Sequence, residues 1–181
     1  MSRVDLVDPA TAGPDTKPVL DEIQAAFGAT PAMFRAVANS PAALQMMWAG
    51  FGALGHGRLG AKVGEQVAVL VADRNACEYC LAAHTALGRK AGATAEEMGE
   101  AQAGRSTDLR TAAALAFAEK LVQDRAQVTD ADVAALKDAG LDDQDVVELV
   151  AHVALNLFTN YVNVALDVPV DFPKVALLER G

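Results

Sequence analysis

Apolar residues recur three and four positions apart along most of this chain, the period of a helix buried on one face. The spacing predicts a helix over about 17–27, closed by Gly28, and a short one after Pro31, where proline suits a first helical turn. Ser40 and Pro41 then supply an N-cap and a first-turn proline for a helix over about 40–54. The segment GHGRLG (55–60) interrupts the pattern with three glycines. A helix over about 61–72, a tight turn at Asp73, Arg74 and Asn75, and a helix over about 76–90 follow. Gly92 closes that helix, and Thr94 with Glu97 forms a capping box for the next. Further helices are expected over about 107–125, from a Thr129 cap to about 138, and from an Asp142 cap to about 166. The tail DVPVDFPKVALLERG (167–181) is punctuated by prolines and reads as extended. AGATAEEMGE (91–100) and AGLDDQDVVE (139–148) share one form. That hints at a repeated unit, although a glycine C-cap followed by an N-cap produces the same pattern.

Composition agrees with this reading. The chain is 52% hydrophobic, with few aromatics and much alanine. Alanine favours helices and serves strands poorly. The expected fold is therefore all-α, with residues 1–181 forming one domain, and 181 residues suffice for a real core. Net charge is −9, from 24 acidic and 15 basic residues without a basic block. Such a chain repels nucleic-acid phosphate and anionic membrane surfaces, so neither is expected as a partner. The longest apolar stretch, about 146–170, is broken by Glu148, His152, Asn156, Asn160, Asn163 and Asp167, which fits a buried helix better than a bilayer span. MSRVDLVDPATAG has no continuous apolar run after Arg3, as a secretory signal would. The expectation is a soluble cytoplasmic protein.

The two cysteines of the chain, Cys77 and Cys80, are followed by His84. On a helix these stand at i, i+3 and i+7 and share one face. Cys80 and His84 are one turn apart, and Cys77 falls in the first turn, where free amide groups favour a thiolate. The spacing also allows a disulfide between the two. Zinc would need a fourth ligand, and only His56 and His152 remain. Covalent haem needs a histidine directly after the second cysteine, where Leu81 stands. Two cysteines as small core residues and redox catalysis through a nucleophile–base pair remain open. No metal and no cofactor is expected. Glu65 offers a third group. About a turn centred between Arg74 and Asn75, Glu65 and His84 lie at equal distances, so an antiparallel hairpin sets them side by side. A carboxylate on an apolar stripe needs such a partner, although an acid near a helix start is also favoured by the helix dipole. Glu78 should face solvent.

The run E65…C77-E-Y-C80-L-A-A-H84 resembles the core motif of the alkylhydroperoxidase D-like, or carboxymuconolactone decarboxylase-like, superfamily: a glutamate, eleven residues, C-x-x-C, three residues and a histidine. The likeness is tightest over 60–92 and extends more loosely to the preceding helix and to NLFTNYVNVALDVPVDFP (156–173), which resembles the C-terminal helix of peroxidase-related members. It implies an all-helical domain with the C-x-x-C at the start of a helix in an antiparallel hairpin. It also implies a homo-oligomer, commonly a trimer or hexamer, and thiol-dependent reduction of hydroperoxides, with an external dithiol or protein reductant resetting the site. Carried over, Cys80 matches the peroxide-attacking cysteine, Cys77 its resolving partner, and His84 with Glu65 the proton relay. The best-studied members have a histidine just before the second cysteine, where this chain has Tyr79, so that relay is lost or a phenol replaces it. The decarboxylase members lack the C-x-x-C pair, which argues against lactone decarboxylation here. A non-enzymatic redox-sensing oligomer and a lyase are the alternatives to the peroxidase.

His152, Asn156, Asn160 and Asn163 form a polar stripe on the last long helix, suited to line a cavity, to bond across a subunit interface, or to sit satisfied in the core. Met46, Met47, Trp48 and Phe51 read as core before they read as pocket wall. His56, between glycines, reads as a loop residue.

Overall fold

The computed structural model of the chain describes residues 2–179. Among these the regular structure is helical throughout, the all-α class expected: α1 (Lys17–Phe27), α2 (Ala32–Val37), α3 (Pro41–Gly55), α4 (Gly60–Arg74), α5 (Glu78–Lys90), α6 (Ala95–Gln102), α7 (Leu109–Gln123), α8 (Asp130–Asp138) and α9 (Asp143–Ala165). The tail forms no helix or strand through residue 179, and its residues 180 and 181 lie outside the described ones. No helix among the described residues is long and apolar enough to cross a membrane.

The helix starts follow from side-chain caps. Ser40 Oγ accepts from the Ala43 amide at 3.3 Å, and Thr94, Thr129 and Asp142 each close a capping box. Gly92 and Gly140 adopt the left-handed conformation just before two of those caps, with φ 94° and 85°. The shared ten-residue form is therefore turn chemistry at two helix junctions.

The α4 helix is the hub. Val67 to Ala72 are six successive apolar residues, so this stretch is apolar all round and must be covered on every side. It packs against α5, α6, α7 and α9. The α4–α5 hairpin departs from the expected turn. Asp73 and Arg74 stay helical, and the reversal is made at Asn75, Ala76 and Cys77. The cause is tertiary. Buried Asp73 accepts from Gln102 Nε2 at 2.9 Å and the Leu178 amide at 3.0 Å, and Arg74 Nε donates to Glu119 at 2.7 Å. Ala76 then takes a left-handed φ of 52°, and the Cys77 amide bonds back to the Ala72 carbonyl at 2.9 Å.

The α9 helix crosses α2, α3, α4, α5 and α7. Its start is fixed by Asp145, fully buried yet held 3.1 Å from Arg110, since a carboxylate is buried at tolerable cost only when paired. The tail after α9 folds back over α5, where Asp171 accepts from the Tyr79 hydroxyl at 3.0 Å.

Candidate active site

Cys77 is the N-cap of α5 rather than a member of its first turn. Its sulfur takes the capping role, accepting from the Cys80 amide at 3.2 Å. Cys80 is the third residue of the helix, so both sulfurs sit where unpaired amide groups favour negative charge. The two are joined in a disulfide within the chain, with Cα atoms 5.3 Å apart, an ordinary separation for one. Both cysteines are buried. Glu78, between them, is exposed as expected.

Glu65 and His84 are brought together: His84 Nδ1 lies 2.7 Å from Glu65 Oε2. The equal-distance argument reached this pair from a turn centre that the structure moves toward the C-terminus. A side chain placed at Gly88 would meet the Glu65 Cβ at 3.3 Å, so the Glu65 backbone stands beside Gly88 and its carboxylate reaches along the hairpin to His84. The bond occupies Nδ1, so proton exchange at the ring falls to Nε2.

Cys80, His84 and Glu65 share a cavity of about 350 Å³. The rest of its wall is mostly apolar and comes from segments far apart in sequence: Phe27 of α1, Met33 and Phe34 of α2, Trp48 and Phe51 of α3, Leu87 of α5 and Phe172 of the tail. Phe34 is the centre of this cluster, with ring centroids 5.6 Å from Phe27, 5.9 Å from Trp48 and 6.2 Å from Phe51. Of the four α3 residues first read as core, Met47 is core, Met46 is half exposed, and Trp48 and Phe51 are pocket wall. His56 is an exposed C-cap residue.

From α9, Thr159 lines the pocket, and the polar stripe reaches the cysteine pair at one residue. Asn163 Nδ2 donates to Cys80 Sγ at 3.2 Å. Asn160 accepts from Asn75 Nδ2 at 3.1 Å, which ties the hairpin turn to α9. Buried polar atoms remain on these residues without a protein partner: His152 Nε2, Asn156 Oδ1, Asn160 Nδ2 and Asn163 Oδ1. Burial holds the His152 pKa below its ordinary value; the Glu148 and Glu65 carboxylates oppose this, and repulsion from His84 adds to it. Tyr79, in the place of the usual relay histidine, is buried; its hydroxyl donates to Asp171 and accepts from the Met33 amide at 3.4 Å. Burial, with the Asp171 carboxylate beside it, pushes this phenol far above its ordinary pKa. Tyr79 thus stays protonated and anchors the tail instead of serving as a base. Among the described residues no group of three or more His, Cys, Asp or Glu is arranged to hold a metal ion.

An all-helical fold with a cysteine pair at a helix start, a histidine one turn on and a paired glutamate defines a class, and comparison with known proteins agrees with it. Residues 41–124 match the carboxymuconolactone decarboxylase family. An uncharacterized peroxidase-related protein from Silicibacter sp. TM1040 superposes with a TM-score of 0.82 at 25% identity, over 93% of this chain and 91% of that one. A second uncharacterized peroxidase-related protein, from Ralstonia eutropha JMP134 and described as an alkylhydroperoxidase AhpD core, gives 0.83 at 26%, over 94% and 92%. A cysteine-to-alanine variant of the debrominase Bmp8, in complex with 2,3,4-tribromopyrrole, shares the fold at 0.79 and 18% identity, over 94% of each chain. No curated protein matches the sequence. The family match over residues 41–124 and the two peroxidase-related neighbours support a place in the alkylhydroperoxidase D-like, or carboxymuconolactone decarboxylase-like, superfamily. Its cysteine pair and its peroxidase-related neighbours fit a peroxidase-like role.

Proposed function

We propose that the protein is a thiol-dependent oxidoreductase that reduces organic hydroperoxides through a Cys77–Cys80 dithiol/disulfide cycle. One observation carries this reading: of the two cysteines, it is Cys80 that lines the apolar pocket, in the company of the His84–Glu65 pair. The Cys80 thiolate attacks the terminal oxygen of the hydroperoxide. The O–O bond breaks, Cys80 becomes a sulfenic acid, and the departing alkoxide takes a proton from His84 to leave as an alcohol. The Cys77 thiol then attacks the Cys80 sulfur, water leaves, and the disulfide forms. An external dithiol returns both cysteines to thiols. Glu65 holds the imidazole in place, and the Asn163 amide donates to the thiolate that attacks. The aromatic wall favours a substrate with an apolar body.

We extend the proposal to the setting. A reducing cytoplasm supplies the dithiol. The outward face at the start of α9, where Val147 and Val150 are exposed, supports a homo-oligomer. The decarboxylase family match makes a lyase the second reading, but nothing in the pocket calls for a cysteine pair in that chemistry. Turnover separates the enzyme from a redox sensor. With a dithiol present, the enzyme consumes many equivalents of hydroperoxide, whereas a sensor oxidises once and stops.

A further inference from the structure

The two cysteines of the disulfide, both nearly enclosed, line different cavities. Cys80 lines the apolar pocket and Cys77 does not. Cys77 lines a separate groove of about 380 Å³, and Cys80 does not. This groove lies between the start of α5, the end of α9 and the first residues of the tail; Glu78, Val164 and Asp167 are on its wall. Two side chains separate the cavities. Tyr79 lines both, and Asn163 lines the groove while its amide reaches across to Cys80 Sγ.

We propose that the disulfide is reduced from the side opposite the substrate: an external thiol enters the groove and attacks Cys77 Sγ, expelling Cys80 as the thiolate. A thiolate must approach a disulfide sulfur along the S–S axis, from the side away from the leaving sulfur. For attack on Cys77 that side faces away from Cys80, and the groove is the cavity Cys77 lines. Attack on Cys80 would come through the aromatic pocket and expel Cys77. The leaving groups are matched, because each sulfur accepts one hydrogen bond at 3.2 Å, so access decides. A reductant with a polar body fits the groove, bordered by Glu78 and Asp167, better than a cavity walled by Phe34, Trp48 and Phe51. The S–S bond breaks as the new S–S bond to Cys77 forms, and two electrons remain on the Cys80 thiolate. A second thiol then attacks the reductant's own sulfur, releasing the Cys77 thiolate, so two thiols become one external disulfide. The site emerges ready, with the Cys80 thiolate already facing the pocket.

The proposal rests on the redox reading for the existence of the cycle, but its test needs no peroxide. Thiol–disulfide exchange runs by the same route in both directions, so the reaction of each lone thiol with neutral dithiodipyridine reports its entrance. The chain holds only two cysteines, so Cys80→Ser isolates Cys77 and Cys77→Ser isolates Cys80. Val164→Trp adds an indole on a half-exposed wall of the groove. Gly52→Leu adds a side chain toward the pocket, at a position with no atom within 4 Å of its added Cβ. Val164→Trp should slow the reaction of Cys77, and reduction of the disulfide by 2-mercaptoethanol, by about tenfold. It should leave Cys80 labelling unchanged. Gly52→Leu should slow Cys80 and spare Cys77. Equal slowing of both thiols by either variant, no slowing of Cys77 by Val164→Trp, or slowed disulfide reduction in Gly52→Leu would overturn the assignment. Each variant decides separately, so one that fails to fold leaves the other to be read. Peroxide turnover is assayed apart, so its failure is distinguishable.

Discussion

Asn163→Leu tests the electrostatics of the attacking sulfur with little change of shape. Asn163 is buried, its Nδ2 lies 3.2 Å from Cys80 Sγ, and its Oδ1 has no protein partner. On the proposed mechanism the amide donates to the Cys80 thiolate of the reduced protein, and a hydrogen bond to a charged group contributes about 1.5–3 kcal/mol. At about 1.4 kcal/mol per factor of ten, its loss lowers the thiolate population at neutral pH by roughly ten- to a hundredfold. The assay is the rate of alkylation by iodoacetamide against pH, in a Cys77→Ser background so that a single thiol is read. Asn163→Leu should react at least about tenfold more slowly at neutral pH. The two profiles should meet, or cross slightly, at alkaline pH, where both sulfurs are ionised and the more basic thiolate is the better nucleophile. The oxidised protein should keep its thermal stability, because the bond to a neutral disulfide sulfur is weak and an unsatisfied buried carbonyl is removed. Superimposable alkylation profiles would refute the reasoning, and so would a rate loss that tracks a loss of stability.

The remaining expectations address other parts of the site and its assembly. Glu65→Gln keeps the shape beside His84 but removes the charge, and peroxide attack at neutral pH should slow by about a hundredfold, the usual scale for a general acid–base step; an unchanged single-turnover rate would show that the pair plays no part. His152 is held neutral by burial, so its folded pKa lies below its unfolded value. Its contribution to stability is complete above the ordinary histidine value of 6.5 and is lost as pH falls below it toward the depressed folded value. His152→Gln should flatten that part of the acid limb in denaturant titrations, and an unchanged limb would contradict this. Light scattering at micromolar concentration should give a trimer or a multiple of it, whereas a monomer would contradict the oligomer proposal.

The helix ends were legible because they rest on local chemistry. Ser40, Thr94, Thr129 and Asp142 cap where the sequence places caps. The α4–α5 turn was not, because Asp73 and Arg74 look like turn residues until Gln102, Glu119 and Leu178 are brought to them. The Glu65–His84 pair was legible by counting along a hairpin. The count tolerates a displaced turn because a glutamate side chain reaches along the helix. Asn163 was visible only as part of a polar stripe; its contact with Cys80 depends on how α9 crosses α5, which no spacing states. The pocket was the least legible. Phe27, Phe34 and Phe172 each look like ordinary apolar residues, at a helix end, in a short helix and in a proline-bounded tail. Only their convergence over Cys80 makes them a wall.

The most direct measurement is a dithiothreitol-coupled peroxidase assay with cumene hydroperoxide, on the wild type and on Cys80→Ser. The account predicts many turnovers by the wild type and a higher kcat/KM for cumene hydroperoxide than for hydrogen peroxide, because the apolar body fills the aromatic pocket. It predicts none above background from Cys80→Ser. A single stoichiometric oxidation that then stops, or full turnover by Cys80→Ser, would contradict it.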